Sequence, residues 1–176
     1  MLGLMERVWV FDRLAVAVAV IDFLDPAFAG EPDVRERGVR VEVRQVHAER
    51  SGTIYVSSSM ALEPAVCRLD FLESAPGAAD RMHWHPTMSD GEPGERTFEP
   101  AMPADPVAWL TDFLDGLGAF LEGAGVGTVA ELTDDLVAVR AASGEIGAVV
   151  ARGLALARTT PWPEVDRDER GLAVLA

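Results

Sequence analysis

Three histidines are the side chains of this sequence best suited to metal or acid–base chemistry, and two of them, His83 and His85, stand one residue apart. An x-x repeat in an extended strand points both imidazoles to one side, about 6 to 7 Å apart, close enough to share one metal ion. His47, at the end of the segment VRVEVRQVH, is a candidate third ligand, and Asp80, Asp90, Glu92 and Glu99 are carboxylates nearby in sequence. One expectation is therefore a divalent transition metal at His83, His85 and His47. The competing expectation is that His83 and His85 lie on the solvated face of an edge strand beside Arg81 and hold no cofactor, and that His47 merely ends its strand.

The other reactive groups point to no mechanism. Ser57, Ser58 and Ser59 follow a short strand, but no Gly-x-Ser-x-Gly elbow surrounds them. Cys67, the only cysteine, alternates with Leu69 and Phe71, which predicts a buried thiol of raised pKa and excludes an intramolecular disulfide or a multi-cysteine metal site. The glycines of GAGVGT at 123–128 follow a helical segment and lack the Gly-Lys-Ser/Thr of a phosphate loop, so a helix-to-helix turn is expected. Ser89, Asp90, Gly91 and Glu92 lack the spacing of an EF-hand calcium loop.

The elements that must position these groups are read from hydrophobic period. Within residues 7–24, Leu14, Val16, Val18 and Val20 alternate with Ala15, Ala17 and Ala19, the pattern of a central strand covered on both sides. VRVEV at 39–43 alternates Val with Arg and Glu, as an antiparallel strand with one wet face does. A short strand at 53–57, a loop through Leu62 and Pro64, and the alternation VCRLDFL follow, then RMHWH with Met82 and Trp84 on the inner side. Residues 86–104 are rich in Pro, Gly, Asp and Glu and read as a long surface loop. Beyond it, Asp105 and Pro106 open a helix carrying Trp109, Phe113, Leu117 and Phe120, and a capping box at Thr128 and Glu131 opens a second, which Ser143 and Gly144 kink or divide. The expected fold is α+β in one domain over 1–176. An antiparallel sheet or small sandwich at 7–85 carries two or three helices at 105–158, and a tail runs from 159 to 176.

Composition narrows the function classes. A chain of 176 residues with a formal charge of −14 is a poor match for nucleic acid or anionic lipid. Its apolar runs stop well short of the roughly 20 residues needed to cross a bilayer, and its first residues, MLGLMERVWVFDR, do not read as a signal peptide. A cytoplasmic protein is expected. All 15 basic residues are Arg and there is no Lys, the usage a GC-rich bacterial genome imposes.

Residues 14–72 resemble the transthyretin-like, carboxypeptidase-regulatory type of β-sandwich, through VID at 20–22, VRVEV at 39–43, GTIYV at 52–56 and LEPAVCRLDF at 62–71. Ala65 stands where that family has a turn glycine, and Val66 and Cys67 stand near its usual aromatic. The resemblance implies a non-catalytic module used in assembly or adhesion. The spacing from Gly77 to His83 and His85 also resembles the start of the cupin metal motif, but Met88 and Ser89 stand where that motif has Glu.

The functional expectation is a non-catalytic interaction or structural component of a bacterial assembly, bound to another protein or to its own copies. The alternative is a metal-dependent enzyme or small-molecule-binding protein built on His83 and His85. Partner contacts are expected at Asp90, Glu92 and Glu95 of the acidic loop and at Trp162, which stands between two prolines and either docks on its own protein or anchors a contact.

Overall fold

The alternating segments build one antiparallel sheet in the computed structural model, which describes residues 6–174 apart from 32, 50, 51, 54 and 58. Its strands are β1 (Glu6–Val10), β2 (Leu14–Leu24), β3 (Arg35–Glu49), β4 (Ser59–Glu73) and β5 (His83–His85), each paired with the next in chain order. The register sets Val18 beside Val41 and Val41 beside Leu69, and its neighbours put Val16, Val20, Val39, Val43, Cys67 and Phe71 on the same face. All of these are buried.

The helices α1 (Ala101–Ala104), α2 (Pro106–Asp115), α3 (Leu117–Gly123) and α4 (Thr133–Thr159) follow the sheet. Leu110, Leu114, Leu117, Leu121, Val139, Ile146 and Val150 of the last three join that valine-rich face in one core. Asp105 caps α2 by accepting from the Ala108 amide at 3.0 Å, with Pro106 in the first turn, where its missing N–H costs nothing. Asp135 of α4 accepts from the backbone amides of Arg13 and Leu14 at 2.9 and 3.1 Å and so fixes α4 to the turn between β1 and β2.

The architecture is the expected α+β one, realised as a single sheet backed by helices. Several local expectations change. The alanine face of β2 is not covered as its valine face is, since Ala17 and Ala19 remain half-buried. Residues 53–57 form a turn closed by a bond from the Val56 amide to the Thr53 carbonyl, with Ile54 outside the described residues. Leu62 and Pro64 belong to β4, next to a register irregularity at Val43, Arg44 and Val46 of β3, where a strand proline is tolerated. The Thr128–Glu131 capping box forms, with Glu131 Oε2 accepting from Thr128 N and Oγ1 at 2.9 Å each, but it closes a turn ahead of α4. Helix α4 runs 27 residues through Ser143 and Gly144 without a break, Ser143 Oγ donating to the Arg140 carbonyl.

The segment after β5 is pinned to the sheet. Its strands β6 (Met88–Ser89) and β7 (Glu92–Pro93) form a hairpin over Asp90 and Gly91, both at positive φ, as a type I′ turn requires. Thr97 then exchanges two backbone hydrogen bonds with Trp84. Glu99 accepts from the indole N–H of Trp84 and of Trp109, one per carboxylate oxygen, at 3.0 Å each. That carboxylate ties the segment to β5 and α2 at once.

Candidate metal centre

The face of the sheet turned away from the valine-rich core carries Arg40, Glu42, Arg68 and Asp70. Pairing of β4 with β5 sets Asp70 opposite His83 and Arg68 opposite His85, while pairing of β3 with β4 sets Arg40 opposite Asp70. Directly opposed residues share a face. Arg40, Asp70, His83 and His85 are therefore brought together by register alone.

Asp70, His83 and His85 form the one group of three or more potential metal ligands among the described residues, and all three are buried. His83 Nε2 lies 3.2 Å from His85 Nε2, and Asp70 Oδ2 lies 3.7 Å from the first and 3.9 Å from the second. The opposite ring nitrogens are already committed. His83 Nδ1 bonds the Arg81 carbonyl at 2.7 Å and His85 Nδ1 bonds the Gly94 carbonyl at 2.8 Å. A carbonyl oxygen only accepts, so each Nδ1 carries a hydrogen, and in the neutral rings each Nε2 presents a lone pair. Two lone pairs and a carboxylate oxygen thus converge on one point.

That arrangement is repulsive unless a hydrogen-bond donor or a cation lies between them. A proton on one Nε2 would supply it only by making a buried imidazolium, and burial pushes the His83 imidazole below the ordinary histidine value, against the raising pull of the Arg81 carbonyl and Asp70. A metal ion fits the geometry: the point equidistant from the three atoms lies about 2.1 Å from each, the usual length of zinc–nitrogen and zinc–oxygen bonds. Nδ1–H donation to a backbone carbonyl is also the arrangement that orients ligating histidines.

Asp70 is held in place by Arg40, whose Nε donates to Oδ1 at 2.7 Å and whose Nη2 donates to Oδ2 at 3.1 Å. Phe98 packs on the His83 ring at 5.6 Å between centroids and is otherwise largely exposed. Arg96, from the pinned segment, binds Asp25 Oδ2 at 2.8 Å and approaches the buried Glu36 at 3.5 Å. Burial pushes the Glu36 carboxyl up, with Arg96 pulling the other way, and neither of its oxygens has a hydrogen-bond partner.

The structure keeps His83 and His85 together and changes their company. They are 1% and 5% exposed, so the solvated-face expectation does not hold: the pinned segment covers the edge strand. Arg81 contributes its carbonyl, while its guanidinium stacks on Phe28. His47 lies exposed near the end of β3, where Nε2 bonds Glu49, and it takes no part in the group. Asp80 accepts from Ser74, Asp90, Glu92 and Glu95 are exposed on or beside the hairpin, and Glu99 is occupied by the two indoles. Trp162 takes the intramolecular option, donating to the Ala157 carbonyl at 2.9 Å beneath the Arg37 guanidinium. Cys67 is buried and its thiol is pushed up to about 12 by burial.

Asp70 is the candidate ligand that sequence reasoning passed over. Its signal was its place on the polar side of the Cys67, Leu69 and Phe71 alternation, but only the β4–β5 register brings it to His83. Compared with protein-family models, curated proteins and solved structures, the chain matches none.

Proposed function

We propose that this protein carries a mononuclear metal centre in which Asp70 Oδ2, His83 Nε2 and His85 Nε2 hold a divalent transition ion. The observation that carries this is the convergence of two imidazole lone pairs across 3.2 Å, with both Nδ1–H groups already spent on carbonyls. Two nitrogens and one carboxylate oxygen are a donor set for zinc or a neighbouring first-row ion, and a poor one for calcium or magnesium, which prefer all-oxygen shells. Three protein ligands leave the ion open to a further donor, as in zinc sites that act on small molecules. An ion there would serve as a Lewis acid.

The test is isothermal titration of the chelator-treated protein with zinc, read against Asp70→Asn and His83→Gln. One ion bound per chain, and at least about a hundredfold weaker binding in each variant, supports the centre. Equal binding in wild type and both variants contradicts it and returns the protein to the other expectation, a non-catalytic interaction component.

A further inference from the structure

We infer that the ion's remaining position takes a small monoanionic oxygen donor, of which a carboxylate is the simplest. This rests on the metal centre proposed above. The described residues offer no fourth His, Cys, Asp or Glu within reach of the three ligands, so the position is left to an exogenous group.

Charge then selects that group. Arg40 already neutralises Asp70 through two hydrogen bonds, and the two imidazoles are uncharged in the ligating form, so the protein shell is close to neutral before the ion arrives. A divalent ion adds two buried positive charges that nothing in the shell offsets, and an unpaired buried charge is costly. The surroundings do not supply the missing anion. The neighbouring carboxylates are already engaged by arginines: Glu42 accepts from Arg44 and Arg68, Asp25 accepts from Arg96, and Arg96 approaches Glu36 on the same face at 3.5 Å. Arg40 retains 25% of its side-chain exposure and Arg44 28%, so this face reaches solvent, while Asp70, His83 and His85 are almost wholly buried. A monoanion is favoured over a dianion because less hydration must be stripped from it on entry to a buried site.

The experiment loads the full chain with Co(II) and follows its visible ligand-field bands while acetate, or its uncharged isostere acetamide, is added. The expected result is a saturable band shift with acetate at concentrations more than about tenfold below those at which acetamide has any effect. Failure to take up Co(II) overturns the metal centre and this inference with it. Uptake of Co(II) with bands indifferent to acetate overturns the inference alone and leaves the centre standing. Equal shifts from both compounds show an open position without charge selection, which also overturns it.

Discussion

His83 and His85 face one another Nε2 to Nε2 across 3.2 Å, each fixed from behind by a carbonyl, Arg81 for the first and Gly94 for the second. The two carbonyls come from opposite sides of β5. Arg81 precedes the strand, and Gly94 follows the β6–β7 hairpin, whose pairing is closed by the Gly94 amide on the Thr87 carbonyl at 2.9 Å. The hairpin thus helps to fix the candidate centre, because its Gly94 carbonyl holds His85 Nδ1.

Arg40 and Asp70 form a bidentate pair in which the carboxylate is 3% exposed and the guanidinium 25%. Removing the cation strands a buried anion, so Arg40→Met is expected to destabilise the metal-free protein by about 2 to 3 kcal/mol, below the full cost of breaking a wholly buried pair because Arg40 is partly hydrated. Zinc should recover most of that loss, since it offers Asp70 a second cation. Thermal melts of wild type and variant with and without zinc check this. An identical zinc-induced shift in both would count against Asp70 as a ligand.

Glu99 joins two indoles that lie on different elements, Trp84 on β5 and Trp109 on α2. Glu99→Gln leaves one oxygen to accept and turns an amide toward the second indole, so one of the two N–H groups loses its partner. A loss of about 1 to 2 kcal/mol is expected, with a change in intrinsic tryptophan fluorescence. Chemical denaturation followed by fluorescence measures both, and a variant as stable as wild type would mean that the carboxylate does not hold the segment.

Glu36 yields a pH dependence with a definite sign. Burial places its folded-state pKa above the ordinary value of 4.5, so the folded protein binds the proton more tightly than the unfolded chain does. Its contribution to stability is fully present below that ordinary value and is lost as pH rises through the raised one. Glu36→Gln removes the titration, so its melting temperature should exceed that of wild type at neutral pH, and the gap should close toward acid. A lower melting temperature for the variant at neutral pH would mean that the Arg96 ion pair outweighs burial.

The alternations at 14–20, 39–43 and 67–71, together with the Asp105–Pro106 helix start, made the sheet and α2 legible, because each is a local pattern with a local cause. His83 and His85 were legible as a pair for the same reason. Asp70 beside them was not, because it reaches them through cross-strand register, and register between β4 and β5 depends on a turn that has no strong sequence signature. The segment 86–104 is a mostly exposed surface segment, as expected, but holds more structure than its composition shows. Its Pro, Gly and acidic residues read as a long surface loop, but Asp90 and Gly91 are the residues a tight hairpin turn needs, and Glu99 has two half-buried indoles to accept from.

Elemental analysis of the protein purified from cells without chelator tests the metal centre most directly. The expected result is a near-stoichiometric first-row transition ion, one per chain, in the wild type and its loss in His83→Ala. Wild-type protein that emerges correctly folded without a stoichiometric ion, and takes up none when zinc is supplied, would contradict it.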